Sequence, residues 1–154
     1  VAGQDAGTLA LDDLKALAGA AIARWVEVGI NAEQLALLES VAFGVADLKG
    51  SILGLSSAGL VLVDSNAAGW GWFVDDTPMA DEEFSASEST EGQAATRMDL
   101  LTVLTHELGH ILGLDDDYAG VQNAVMHGML DIGQRYMPEA QLVGVAPALF
   151  GDGG

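Results

Sequence analysis

The spacing of apolar residues predicts two helices near the start of the chain. From Leu11 to Val28 they recur every three or four positions, which places them on one face of an amphipathic helix. Two aspartates suit its first turn, and Gly29 is a natural stop. Asn31 is a good N-cap for a short second helix that continues through Leu38.

The hydrophobic pattern then changes to short apolar or β-branched segments separated by Gly and Ser, which predict strands. These segments are Val41–Leu48, Ser51–Leu55, Gly59–Asp64 and Trp70–Pro78, the last of which holds a short strand that ends in a turn. Small, polar and acidic residues from Phe84 to Thr96 predict a loop. No internal repeat is present.

A second long helix is predicted from about Thr96 to Leu112. Its apolar residues surround much of its circumference, so we expect it to be buried. After Gly113 the chain is rich in Gly and Asp, and Pro138 suits the first position of a last helix that ends near Phe150. The order of elements predicts an α+β fold. The 154 residues suit one domain, residues 1–154, which we expect to be cut from a longer chain because it starts at Val1.

Candidate chemistry is concentrated in the sequence HELGHILGLDD, residues 106–116. His106 and His110 are four positions apart on the predicted helix, so their imidazoles share one face. Such a pair can bind one Zn²⁺, with Glu107 placed to take a proton from a water molecule on the metal. This is the HExxH pattern of metallopeptidases.

A third protein ligand is expected beyond His110. Gly113 can adopt a positive φ and let the chain leave the helix and turn back, which would bring Asp116 under the metal. A carboxylate oxygen is an acceptable zinc ligand. Spacing alone leaves Asp115 and Asp117 open, and His127 is a further rival.

The charge and cysteine content exclude several classes of function. The formal net charge is −18, from 23 acidic and 5 basic residues, which disfavours nucleic-acid and membrane-surface partners. The chain has no cysteine, which rules out a disulfide scaffold, a cysteine-type zinc finger and a thiol nucleophile. No apolar run is long enough to span a membrane.

The extended motif resembles that of the metzincin clan, HExxHxxGxxH followed by a methionine turn. Here aspartate replaces the last histidine, as in the snapalysin-like branch, and Met126 is the candidate for the turn. The sequences LVLVDSNAAGWGWFVDDTP and MPEAQLVGVAPALFG are similar to matrixin-like domains of very large secreted bacterial proteins. The resemblance covers most of the chain and is strongest from about Asp64 onward.

The resemblance implies a small twisted mixed sheet backed by helices, a central zinc-binding helix, and a last helix after the methionine turn. It implies a secreted zinc endopeptidase in which His106, His110 and Asp116 hold one Zn²⁺ and Glu107 is the general base. Met126 would lie beneath the metal. A peptide substrate would lie extended along a sheet edge, for which Ile52–Ser57 is the candidate, and residues 126–136 would line the primed-side pocket. We expect a monomer.

Three alternatives stay open. In a gluzincin-like site, Glu139 would be the third ligand, because it is the only glutamate after Glu107. A catalytically silent module would use the same fold for binding or adhesion. The acidic run Leu114–Tyr118 could bind Ca²⁺, although it lacks the alternating ligand pattern of an EF-hand.

Overall fold

The computed structural model describes residues 8–57, 59–84, 88–90, 92–115, 125–126, 130–136 and 138. The helices are α1 (Leu11–Glu27), α2 (Ala32–Glu39), α3 (Gly92–Thr96) and α4 (Leu100–Ile111). The strands are β1 (Ala42–Ala46), β2 (Gly54–Ser57), β3 (Leu60–Asp64), β4 (Trp72–Phe73) and β5 (Met98–Asp99).

The first two helices confirm the predictions from apolar spacing. Helix α1 ends within one residue of its predicted end, and Gly29 after it has a φ of 104°. Asn31 caps α2 as predicted: its Oδ1 accepts a 2.8 Å hydrogen bond from Gln34 N, while Gln34 Oε1 accepts one from Asn31 N. This reciprocal pair satisfies two backbone donors that would otherwise have no partner.

Strands β1, β3 and β2 form a three-stranded sheet in that order. Strand β1 is parallel to β3 and β2 is antiparallel to it, so the small mixed sheet is as expected and β2 lies at its edge. The predicted strand Ser51–Leu55 starts too early. A turn occupies its first residues, where Gly50 has a φ of 60° and Ile52 N donates to Lys49 O.

Helix α4 is the centre of the core, as its apolar circumference predicts. It packs against α1 on one side and against the sheet on the other. Trp25 on α1 is fully buried, and its indole Nε1 donates a 3.0 Å hydrogen bond to Thr105 O of α4. Buried leucines of both helices belong to the same hydrophobic core: Leu14, Leu17, Leu101, Leu104 and Leu108. The core therefore fixes α4 relative to the sheet.

The prediction of one helix from Thr96 to Leu112 was wrong at its start. Helix α3 occupies the end of the predicted loop, and β5 follows it and pairs in parallel with β4. Asp99 is the N-cap of α4: its backbone is extended and its carboxylate accepts from Thr102 N. The aspartate competes for this backbone N–H and so separates α3 from α4. Within the predicted segment Trp70–Pro78, the short strand is β4 and a turn follows it, where Ala80 N donates to Thr77 O.

The predicted last helix lies almost entirely outside the described residues, where Pro138 alone of its range is included. Among the helices of the described part of the chain, none has the length and apolar character needed to cross a membrane.

Candidate functional site

Two histidines meet on the last turns of α4. His106 Nε2 and His110 Nε2 are 3.1 Å apart, and the two rings are nearly perpendicular. Two nitrogens bound to one tetrahedral Zn²⁺ at about 2.0–2.1 Å lie about 3.3–3.4 Å apart. The pair therefore needs only a shift of a few tenths of an ångström to fit this ion.

The other nitrogen of each ring contacts a backbone carbonyl. His106 Nδ1 is 2.7 Å from Val125 O, and His110 Nδ1 is 2.8 Å from Leu114 O. A carbonyl oxygen can only accept, so both Nδ1 atoms carry the proton in the neutral rings. Both Nε2 lone pairs then point into the same space. Backbone carbonyls orient metal-binding histidines in this way, and the donor set suits a cation.

Glu107 lies between this histidine pair and the edge strand β2. It is 7% exposed, and a Cβ atom added at Gly54 would lie 3.1 Å from its Cγ and 3.2 Å from its Oε2. Potential ligand atoms of His106, Glu107 and His110 lie within 4.8 Å of one another. We call these three residues the histidine end of the site. The predicted base and the two predicted ligands are thus together.

The chain turns sharply after α4 at Gly113, which has a φ of 97°. Gly113 N donates to His110 O and Leu114 N donates to Gly109 O, both at 2.9 Å. This pair of bonds is the Schellman motif, which ends a helix at a left-handed glycine. It brings Leu114 O back to His110, so the chain turns back as the sequence predicts. Asp115 is exposed, and Asp116 and Asp117 lie outside the described residues.

Met126 is 1% exposed and packs against α4 at Gly109. A Cβ atom added at Gly109 would overlap its Sδ, so the glycine permits this close approach. The methionine therefore lies under the helical turn that carries both histidines. Its neighbour His127, and Glu139, lie outside the described residues.

An open cleft of about 1360 Å³ connects the histidine end to the edge strand and to residues 130–136, which we call the wall segment. All four residues of β2 line it, and exposed apolar side chains such as Trp70 face it. On the wall segment, four residues line the cleft: Leu130, Asp131, Gln134 and Tyr136. Thr102 of α4 also lines the cleft, and its hydroxyl accepts a hydrogen bond from Tyr136 N of the wall segment.

The buried guanidinium of Arg135 connects the wall segment to other parts of the fold. Arg135 is 2% exposed and binds Asp99 through two bonds of 2.8 Å, from Nε to Oδ2 and from Nη2 to Oδ1. It also lies 2.9 Å from Asp75 and 3.0 Å from Asp81, and its Cζ is 4.4 Å above the Phe84 ring. Burial disfavours its charge, but the carboxylates outweigh burial and raise the pKa of Arg135 above its usual value.

Asp81 joins this group to α1, because it also binds Arg24 at 2.8 Å. We call Arg24, Arg135, Asp75, Asp81 and Asp99 the arginine network. The described residues contain one further group with metal-ligand spacing, Asp75 with Glu82 and Glu83. Burial and its neighbouring carboxylates raise the pKa of Glu83. Because the Arg135 guanidinium already contacts Asp75, the guanidinium supplies the positive charge that a metal ion would bring to these carboxylates.

Sequence patterns missed the arginine network, Thr102 and Gly54. The arginines gave a usable signal, because only 5 basic residues stand against 23 acidic ones and each basic side chain then has several potential partners. Thr102 and Gly54 gave no signal, because each matters through contacts with residues far away in the sequence.

Comparison with known families agrees with the α+β fold and with a metzincin-like domain. The family model for matrixins, a peptidase family, matches residues 64–142, a little more than half of the chain. No curated protein matches the chain. The match begins at Asp64, where the resemblance becomes strong, and includes α4 and the wall segment. The chain belongs to the matrixin family.

Proposed function

We propose that this protein is a zinc-dependent endopeptidase. One observation carries the proposal: two imidazole Nε2 atoms 3.1 Å apart share their space with a buried glutamate beside the edge strand β2. Membership of the matrixins, whose activity as a family is zinc-dependent peptide hydrolysis, supports the same chemistry. The setting we propose is a monomeric domain of a secreted bacterial protein.

The metal would be held by His106, His110 and Asp116. Imidazole and carboxylate are both good zinc ligands, and three protein ligands leave one position open for reaction. When bound, zinc supplies a Lewis acid that polarises the scissile carbonyl and makes water acidic enough to lose a proton near neutral pH. Asp116 is assigned from its spacing after Gly113, and the turn at Leu114 supports a return of the chain toward His110.

Glu107 would move the proton. In our proposal its carboxylate accepts a proton from the attacking water and then gives it to the amine that leaves. Its position between the histidines and Gly54 would put it beside the bond to be cut, and its burial would keep its charge close to the reacting atoms.

The substrate would pair as an extended strand with β2. The inner side of β2 is already paired with β3, and its outer side faces the cleft. Backbone bonds to such an edge hold a peptide without regard to its sequence. Gly54 has no side chain to separate the peptide from Glu107, which supports this choice of edge.

The test is to purify the parent and Glu107→Gln and to measure zinc content and cleavage of an unfolded protein. We expect one Zn²⁺ in each, and a loss of hydrolysis on the order of 10²–10⁴-fold in the variant. Glu39→Gln, which changes an exposed residue at the end of α2, is the matched control and should cleave like the parent.

Two results would overturn the proposal. A parent that holds zinc but cleaves no unfolded protein would support the silent binding module instead. A chain that remains free of metal after zinc exposure and dialysis would remove the metal site altogether. Loss of zinc in Glu139→Gln, with zinc retained in Asp116→Ala, would favour the gluzincin-like alternative.

A further inference from the structure

We propose that Arg135 is a positioning residue that fixes the wall of the substrate cleft and thereby sets selectivity for the residue on the carboxyl side of the scissile bond. This inference rests on the proposed peptidase function. It assigns the buried pair of Arg135 and Asp99 a role in recognition of the substrate, in addition to its role in the fold.

The first step is the connection between Arg135 and the zinc-binding helix. Both guanidinium bonds to Asp99 are 2.8 Å long, and both side chains are only 1% exposed. Asp99 is also the N-cap of α4. A two-pronged bond between a planar guanidinium and a carboxylate fixes distance and orientation together. The wall segment is therefore tied rigidly to the start of the helix that carries His106 and His110.

The second step leads from Asp99 into the cleft through the hydroxyl of Thr102. Thr102 Oγ1 donates a 2.6 Å hydrogen bond to Asp99 Oδ2 and accepts a 3.0 Å bond from Tyr136 N. Because a hydroxyl has a single proton, the position of the Asp99 carboxylate decides how Thr102 can accept from the wall. Thr102 and Tyr136 both line the cleft. A movement of the Arg135–Asp99 pair thus changes the cleft surface directly.

The third step is the position of this surface relative to the scissile bond. Thr102 lies one helical turn before His106, about 6 Å along the axis. Gly54, the first residue of β2, approaches Val103 and Glu107, which follow Thr102 along α4. A peptide that pairs antiparallel to β2 runs from the end of β2 toward its start. Its carboxyl side therefore lies toward Thr102 and the wall segment.

The remaining attachments of the wall segment do not replace this link. Gly133 N donates to Arg97 O, and Gly133 O accepts from Ser89 N, so these bonds join the wall to the chain before α4. Among the described residues, Arg135 makes the charged link from the wall to α4 itself. The network also contains a natural control, because Arg24 binds Asp81 but makes its bonds from α1 to the loop at Pro78.

The experiment uses two pairs of fluorogenic peptides built around a cleavage site mapped with the parent enzyme. The first pair differs only in leucine or alanine directly after the scissile bond, and the second only in leucine or alanine three positions before it. We compare kcat/KM ratios within each pair for the parent, Arg135→Lys, Asp99→Asn and Arg24→Gln. Asparagine caps helices about as well as aspartate, so Asp99→Asn keeps the cap and removes the charge.

We expect the parent to prefer leucine after the scissile bond by about 10-fold or more, the discrimination typical of an apolar pocket. Arg135→Lys and Asp99→Asn should reduce this ratio to about threefold or less, because lysine has a point charge and cannot make the two-pronged bond. The ratio in the second pair should stay within about twofold of the parent, and Arg24→Gln should leave both ratios unchanged.

A second readout is binding without cleavage. In the Glu107→Gln background with zinc bound, calorimetry with the same peptides should show the same loss of discrimination in Kd. If both ratios fall together, or if Arg24→Gln acts like Arg135→Lys, the network supports the fold in general and the inference is wrong. If Arg135→Lys does not fold, Asp99→Asn decides. A parent that cleaves no peptide overturns the proposed function instead, while unchanged ratios in an active Arg135→Lys overturn this inference alone.

Discussion

The histidine end of the cleft takes its polar side chains from a single helix, whereas the arginine network takes them from four separate segments. His106, Glu107 and His110 lie within about one turn of α4, and their potential ligand atoms are within 4.8 Å of one another. Arg135 binds Asp99 from 36 positions away and Asp81 from 54 positions away. The first region is prepared to receive a cation. The second already contains its cations as part of the folded chain.

This difference separates what each region contributes. Ligands on one helical face keep their spacing as long as the helix forms, so the site needs little from the rest of the fold. Buried charges from distant segments come together only in the complete fold, and loss of one partner leaves the others uncompensated. We therefore expect changes at the histidine end to affect metal and chemistry, and changes in the arginine network to affect stability and the shape of the cleft.

The largest expected effects concern zinc affinity. His110→Ala and Asp116→Ala should each weaken zinc binding by at least the 10–100-fold that is typical even for groups that only support a ligand. Asp115→Ala and Asp117→Ala should have little effect, because the motif that this chain resembles has its third ligand at position 116. Zinc dissociation constants for these variants and for His127→Ala test the assignment. If His127→Ala loses zinc and Asp116→Ala keeps it, the third ligand is His127.

The next largest effect is on stability. Arg135→Met should lower the free energy of unfolding by about 3–5 kcal/mol, because it leaves the buried Asp75 and Asp99 without a counter-charge. Arg24→Met should lower it by only about 1 kcal/mol, since its partner Asp81 is 46% exposed. Urea denaturation at neutral pH measures both, and zinc content should stay at one per chain. Equal losses would mean that the two arginines are equivalent, contrary to the comparison.

The same contrast explains what could be predicted from the sequence. Periodicity gave α1, α2 and the buried character of α4, because each depends on neighbours within a few positions. The HExxH spacing gave the histidine pair and Glu107 for the same reason, and Gly113 gave the turn after them. These features are local, and local rules are sufficient for them.

Long-range contacts decided the rest. The start of α4 was misplaced because Met98 pairs with the distant β4 and because the Asp99 carboxylate is fixed by Arg135 and Thr102. The start of β2 was predicted too early, because apolar residues in the turn at Gly50 have a strand-like pattern. No pattern in a single segment shows that Gly54 touches Glu107. Such contacts follow from the assembled core alone.

Gly54→Ala tests whether the close approach of β2 to Glu107, the proposed base, matters for catalysis. The new methyl group would lie 3.1 Å from Glu107 Cγ and from Val103 Cγ1, closer than ordinary contact. We expect a stability loss of about 1–3 kcal/mol from overpacking. Displacement of the carboxylate by about 1 Å could reduce kcat/KM by roughly 100-fold. The measurement is kcat/KM together with zinc content, which should not change.

Gly19→Ala is the matched control for this substitution. Gly19 lies on the exposed side of α1, where a Cβ atom would have nothing within 4 Å. Alanine there should stabilise the helix by up to about 1 kcal/mol and leave catalysis unchanged. Normal activity in Gly54→Ala would show that Glu107 tolerates movement, and the close approach of β2 would then have no catalytic meaning.

The smallest expected effect is a loss of stability in acid from Asp81, the exposed member of the arginine network. Burial raises the pKa of Asp81, but hydrogen bonds and charges from Arg24 and Arg135 outweigh burial and hold the pKa below its usual value. A carboxylate with a depressed pKa in the folded state stabilises the protein above its unfolded pKa, about 3.9, and this contribution is lost as the pH falls through the folded pKa. Because Asp81 is 46% exposed, solvent limits its contribution to about 0–1 kcal/mol.

The difference in unfolding free energy between the parent and Asp81→Asn should therefore be present at pH 7 and shrink below about pH 4. Asp47→Asn, at an exposed position after β1, is the control. A difference for Asp81→Asn that stays constant from pH 7 to pH 3 would mean that shape, and not charge, accounts for the contribution of Asp81.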